Sequence, residues 1–245
     1  MFNPNLPPIE QWQKLFRLTT SEPEPNGSVS YKPKTKQQQR KEQKKLLIRA
    51  EDYYYNLRKV NWLVEDSVEK QYLIERGFNP GSLNKAGAKV TYNDSYPIIF
   101  PMRDMGRFMG WVCRTTSPEI EQKRKYLYNK GFSRRNTIVG KYDNYRVVVV
   151  EGYMDYLKAK QLGIKYVCAI LGWKATQEQI EKLKKQGVTT IISALDNDEC
   201  GKKGTAFLKQ HFEVVPFQYP RRVKDMGDMT PKLLKAAKRK TMGGF

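Results

Sequence analysis

Across residues 146 to 240, apolar residues arrive in two alternating rhythms. Short continuous runs rich in β-branched residues, such as Val147 to Val150, read as strands buried on both faces. Between them apolar positions recur at helical spacing, as in Tyr153, Tyr156, Leu157, Ala159 and Leu162. The pattern predicts strands over 146–150, 166–171, 188–195 and 213–217, and helices over 153–162, 176–186, about 201–211 and about 230–240. Such a βαβαβαβα alternation implies a parallel sheet with right-handed crossovers.

The rhythm upstream is different. Leu46, Leu47, Ala50, Tyr54 and Leu57, then Val64, Val68, Leu73 and Ile74, predict two helices, the second ended by Gly77. The runs "YPIIFPMRD" and "RFMGWVCRT" flank turn chemistry at Asp104 to Gly106 and read as antiparallel strands. Residues 1 to about 43 are rich in Pro, Gln and Lys and poor in apolar side chains, so they cannot bury enough surface to offset the entropy of ordering. The expected fold class is therefore α/β and α+β. A basic disordered N-terminal tail (1–43) leads into a mixed α+β subdomain (44–145), a parallel-sheet domain (146–230) and a basic C-terminal helix or tail (231–245).

Charge narrows the partners. Lys and Arg number 45 against 25 Asp and Glu, a net charge of +20, which favours a polyanion. Nucleic acid is preferred over membrane, because no run approaches the ~18 apolar residues of a spanning helix. Residues 121–146 hold eight Lys and Arg against Glu121 and Asp143, interleaved with Tyr126, Tyr128 and Phe132. Cations for phosphate and aromatic faces for stacking are the ingredients of a single-strand or nucleotide groove, although such a run also suits a solvated surface. The three cysteines, Cys113, Cys168 and Cys200, and the single His211 have no zinc-ligand spacing. With no apolar leader run, the expectation is a reduced, cytoplasmic protein.

Against this basic background, carboxylates stand at the ends of two predicted strands. Glu151 follows the valine run and precedes Gly152 and a helix; Asp196 and Asp198 follow "VTTIISAL" and precede another. Strand ends of open parallel sheets are where ligands bind. Residues two apart on an extended chain face one side, so Asp196 and Asp198 can share a volume with Glu151. Converging oxygen ligands suit a hard cation, Mg²⁺ or Mn²⁺, completed by water and substrate phosphates. Each acid taken alone also suits a helix start. Asp225 and Asp228 in "KDMGDM" are further candidates, either as ligands or as caps near the helix at Pro231, where Thr230 competes for the capping role.

"EGYMD" and "LDNDECGKKG" on this alternation resemble the TOPRIM domain of bacterial DnaG-type DNA primases, shared more distantly with topoisomerases, RecR-type proteins and some nucleases. "QYLIERGF", "YPIIFPMRDMGRFMGWVCR" and "KYLYN" resemble that family's RNA-polymerase subdomain, so the likeness spans about 62–230. It implies that Glu151, Asp196 and Asp198 are catalytic metal ligands. It also implies that Arg114, Lys125, Asn129 and Arg134, with Arg135 and Lys224, line the nucleotide and template path. Asn197 replaces the glycine of the family's Phe-Asp-Gly-Asp, tolerating the turn that glycine would permit. No zinc module is present, and only "PKLLKAAKRKTMGGF" stands where a helicase-binding domain would begin, so the likeness is to a minimal phage or mobile-element core. The implied activity is primer synthesis: metal-dependent nucleotidyl transfer making short RNA primers from nucleoside triphosphates on single-stranded DNA. A replicative helicase or another replication protein is the implied partner. The alternatives are a TOPRIM metal-dependent nuclease and a catalytically silent single-stranded-DNA-binding accessory protein.

Overall fold

The computed structural model describes residues 34–241. Most of the expected N-terminal tail, including Lys32, and the last residues of the C-terminal one therefore lie outside the described residues. Helix α1 (Lys36–Asn56) begins inside the stretch read as a tail. Thr35 supplies the reason: its hydroxyl accepts from the Gln38 amide while the Gln38 side chain accepts from the Thr35 amide, a capping box the composition argument overlooked. Ala50, Tyr53 and Tyr54 bury one side of α1 against the sheet. Its C-terminal carbonyls of Tyr54 and Leu57 accept from Lys89 Nζ at 2.7 and 2.9 Å.

The second expected helix is α2 (Val68–Glu75), capped by Ser67, and a short α3 (Pro80–Ala86) that periodicity did not reveal follows it. Strand β1 (Lys89–Val90) pairs with β2 (Ile98–Asp104), which forms the expected antiparallel hairpin with β3 (Arg107–Arg114). Met105 and Gly106 make the two-residue turn with φ of 50° and 84°, the left-handed pair that matches strand twist. Pro101 sits inside β2, where a missing N–H would normally break a ladder. Its carbonyl accepts instead from the Tyr153 hydroxyl at 3.2 Å, so its nitrogen faces away from β3.

Helix α4 (Pro118–Lys123) and strands β4 (Tyr126–Tyr128) and β5 (Val139–Lys141) complete the upstream part. The basic stretch 121–146, read as groove or solvated surface, thus also supplies an edge strand of the sheet. The downstream alternation matches its pattern: β6 (Arg146–Val150), α5 (Tyr153–Gln161), β7 (Val167–Ala169), α6 (Gln177–Lys185), β8 (Thr190–Ser193), α7 (Glu199–Leu208), β9 (Glu213–Pro216) and α8 (Pro231–Lys240). Strands β6 to β9 are mutually parallel in the order β7-β6-β8-β9. The two halves are not separate sheets. Strand β5 pairs antiparallel with β7 and touches β2 in parallel through Asp104 and Gly140, giving one nine-stranded sheet.

The valine run is explained by the layers. Val148 and Val150 pack with α5 and α8 on one face, and Val147 and Val149 pack with α6 and α7 on the other. A strand covered on both sides has no position where a polar residue is cheap, so the first carboxylate appears only where the strand ends. Among the described residues no helix is long and apolar enough to cross a membrane.

Candidate active site

Neighbouring parallel strands β6 and β8 end side by side, with Val149 in register with Ser193. Glu151 leaves β6 and Asp196 lies just beyond β8, so topology alone brings them together. The Asp196 amide donates to Glu151 Oε1 at 3.2 Å. Both line a cavity of about 680 Å³ together with Asp155, Asp225 and Asp228.

Asp155, in the first turn of α5, escaped the sequence reading although it closes the "EGYMD" run. Its carboxylate accepts from the Gly152 amide at 3.2 Å and the Gly227 amide at 2.9 Å. The only signal available was its place four residues after Glu151, at a helix start. The 223–228 segment is held over the site by Asn197, whose amide donates to Lys224 O at 2.6 Å and whose Nδ2 donates to Val223 O at 3.1 Å. Asn197 is not in the left-handed region, so its value here lies in these bonds and not in turn tolerance.

The carboxylates raise one another's affinity for protons. Burial, followed by the charge of Asp196, pushes Glu151 up to about 7. Burial and then Asp225 and Asp196 push Asp155 up to about 7. Burial and then Asp225 push Asp196 up to about 6, against the opposing pull of Lys125. Asp225 acts on all three, whereas Asp228 acts on Asp196 alone among them. Burial is the largest cause in each case, and crowded negative charge adds to it.

Asp198 stands apart. It does not line the cavity, and its Oδ1 accepts from the Gly201 amide at 2.8 Å as the N-cap of α7. The same-side argument from an extended chain fails because the chain turns into α7 there. The charge of Asp198 nonetheless reaches Glu151 and Asp196.

The opposite wall is cationic and aromatic: Arg76, Arg114, Lys125, Arg134, Tyr126 and Tyr128. Arg114 is almost fully buried, donating to Glu121 Oε1 at 2.6 Å and to the Tyr72 hydroxyl at 2.8 Å. Arg134 lies over the Tyr128 ring at 5.6 Å. Three residues of the expected groove are elsewhere. Asn129 is buried, with its Oδ1 accepting from the Trp111 amide at 2.7 Å; Arg135 pairs with Glu178 at 2.8 Å; Lys224 is exposed outside the cavity. Lys158, which the sequence did not single out, lines the cavity and donates to Arg76 O and Gly77 O, tying α5 to the end of α2. Leu171 also lines the cavity with φ of 60°, a conformation unusual for a branched side chain and common at functional sites.

Among the described residues, no group of three or more His, Cys, Asp and Glu side chains forms a ready-made metal cage. An open, all-oxygen donor set still fits a magnesium-like cation, which binds through one or two carboxylates and completes its shell with water and phosphate.

Known proteins place this arrangement. Residues 148–229 match the family model described as Toprim-like. The described chain as a whole has the fold of DnaG primase catalytic cores. It aligns with the DnaG primase catalytic domain bound to single-stranded DNA at a TM-score of 0.64 and 20% identity, covering 82% of this chain and 79% of that one. The Aquifex aeolicus primase, comprising zinc-binding and RNA-polymerase domains, aligns at 0.63 and 20%, covering 83% and 60%. In sequence, the DNA primase of Staphylococcus epidermidis is 35% identical over 177 residues, 63% of this chain and 28% of that protein. That of Staphylococcus aureus MRSA252 is 32% identical over 157 residues, 58% and 25% respectively. The chain thus spans about a quarter of the length of these relatives.

Proposed function

We propose that this chain is a primase catalytic core that makes short RNA primers from nucleoside triphosphates on single-stranded DNA. One observation carries the reading: carboxylates from the ends of β6 and β8 share a single cavity with cations and tyrosines from the antiparallel half. Acid alone would suit many metal enzymes. Acid facing a basic, aromatic wall suits a reaction whose substrates are phosphates attached to bases.

Glu151, Asp196 and Asp225 would hold Mg²⁺ or Mn²⁺, Asp225 being preferred to Asp228 because its charge reaches Glu151, Asp155 and Asp196 whereas that of Asp228 reaches only Asp196 among them. A bound divalent cation supplies charge stabilisation at the pentavalent phosphorus and at the departing pyrophosphate. Asp155 holds the Gly152 and Gly227 amides, fixing the 225–228 turn against α5. Asp198 acts through α7, keeping its first turn against the Asp196 loop. Lys125 and Arg134 form no ion pair among the described residues, Arg134 resting on the Tyr128 ring, and both would bind triphosphate and template. Arg114 orients the wall through Glu121 and Tyr72. A replicative helicase or another replication protein is the further partner, and the bacterial or phage-infected cytoplasm the setting, that this reading implies.

One incubation tests it: single-stranded DNA, ribonucleoside triphosphates and Mg²⁺ or Mn²⁺. New oligoribonucleotides are expected. Cleavage of the DNA would indicate a nuclease instead, and binding without product a silent accessory protein.

A further inference from the structure

The first part of α1 is unlike the rest of the helix. Residues 34–45 are all exposed, and burial begins only near Leu46 and Ala50. Over this stretch α1 carries Lys36, Arg40, Lys41, Lys44 and Lys45 against Glu42, which is already paired with Lys34 at 2.6 Å. Ten helical residues reach about 15 Å. The charges at this end of the helix work against the Thr35 capping box that starts it. Cations sit at the positive end of the helix dipole, with no acid in the first turn. Lys36 and Arg40, Arg40 and Lys44, and Lys41 and Lys45 are like charges one turn apart, which repel. These five cations are part of a net charge of +20, so solubility alone gives little reason to gather them on one exposed helix end.

The position of this segment suggests what offsets that repulsion. Leu46 packs on Gly131, where an added Cβ would come within 2.9 Å of Leu46 Cδ1. Lys130, beside Gly131, is near enough to lower the proton affinity of Glu42. The same loop carries Phe132, stacked on Tyr128 at 5.2 Å and 3°, and Arg134 on the cavity wall. Cavity, Arg134, stacked rings, Lys130 and the exposed turns of α1 therefore follow one another along a single edge of the molecule.

We propose that the exposed N-terminal half of α1 is a second contact for single-stranded nucleic acid, an arm that extends the strand's path outward from the cavity. The inference rests on the reading that the cavity handles a template. Phosphate neutralisation removes the self-repulsion of the arm, so the strand and the helix stabilise each other.

The test uses the full chain and fluorescently labelled oligodeoxynucleotides titrated at several salt concentrations. Lys41→Ala/Lys45→Ala is compared with Lys185→Ala/Lys203→Ala, which removes the same charge from exposed positions on α6 and α7. On a strand of about 20 nucleotides, the arm variant should shallow the slope of log K against log salt by about 1.4, two single-strand contacts at about 0.7 each. The control should keep the wild-type slope. On a strand of about 6 nucleotides, which fills the cavity region alone, arm variant and wild type should bind alike. Equal losses for arm and control variants, or an unchanged slope with wild-type binding intact, would overturn the arm and leave the primase reading standing. Failure of the wild type to bind either strand would overturn both. Circular dichroism of the arm variant should show no loss of helix, because neither side chain is buried.

Discussion

The amide of Asp196 donates to Oε1 of Glu151 at 3.2 Å, so the end of β8 is fastened to the end of β6 by a side chain of the cavity itself. Glu151 thus has two separable properties: it is an acceptor for Asp196 and a carboxylate for a cation.

Glu151→Gln separates them. The amide oxygen still accepts from Asp196, but it brings no anionic ligand. Primer synthesis should fall on the order of 10²-fold or more, as expected when stabilisation of developing phosphoryl charge is lost. Single-stranded DNA binding should persist, and the melting temperature should hold or rise because one of the mutually repelling charges is gone. Primer assays beside thermal melts read both, and wild-type synthesis by this variant would remove Glu151 from the metal site.

Asp196 and Asp198 should part company in the same assays. Asp196→Asn should lose activity comparably. Asp198→Asn keeps a good N-cap and should be nearly silent, while Asp198→Ala should cost about 1 kcal/mol of stability. A large activity loss in a well-folded Asp198→Asn would show that this carboxylate turns toward the cation after all.

How much of this was legible before the structure depends on which residues carry a local signal. The parallel half could be read because a strand covered on both faces must be uniformly apolar, and Val147 to Val150 have no alternative. Glu151 and Asp196 were legible for the same reason: a carboxylate after such a run marks the strand's end. The joining of the halves was not, since β5 is only Val139–Lys141 and its partners are chosen by tertiary packing. Nor were Arg76 and Lys158, which meet through a side chain reaching a carbonyl 82 positions away. The resemblance put Asn129 on the nucleotide path, and no local signal showed that its Oδ1 accepts from the buried Trp111 amide.

Gly201 tests whether the first turn of α7 must press on the Asp196 loop. Alanine is the better helix former by about 1 kcal/mol, so propensity alone predicts stabilisation. A Cβ at Gly201 would lie 1.9 Å from the Asp196 carbonyl oxygen, and backbone cannot move aside cheaply. Gly201→Ala should therefore lower both the melting temperature and the rate of primer synthesis. A stabilised, active variant would mean that α7 can shift without disturbing Asp196.

The crowded carboxylates predict a pH dependence. Glu151 and Asp155 near 7 and Asp196 near 6 all lie above the ordinary range of about 4. A raised folded value means the native state binds more protons than the unfolded chain, so the contribution is fully present below about 4 and lost as pH rises through 6 to 7. The metal-free protein should melt at a higher temperature at pH 5.5 than at pH 8. Mg²⁺ should restore stability at pH 8 and do less at pH 5.5, where its ligands hold protons. A metal-free melting temperature that rises toward pH 8 would contradict the burial and mutual repulsion of these groups.

Arg134 and Arg135 are adjacent in sequence and should behave oppositely. Arg134 lines the cavity over Tyr128, while Arg135 is bound to Glu178 on α6 and does not line it. If Arg134 meets a phosphate, Arg134→Ala should weaken single-stranded DNA binding alike on all sequences and shallow the salt dependence by about 0.7, the single-strand value for one contact. Arg135→Ala removes the same formal charge but breaks a largely exposed ion pair, which is worth about 0–1 kcal/mol and contributes no phosphate contact. Its slope should match wild type, with at most a small loss of stability. Titrations of both variants at several salt concentrations distinguish a cavity contact from bulk charge. Equal shifts in the two slopes would mean that the strand is held by the net charge of the surface, and that the wall carrying Arg134 is not its path.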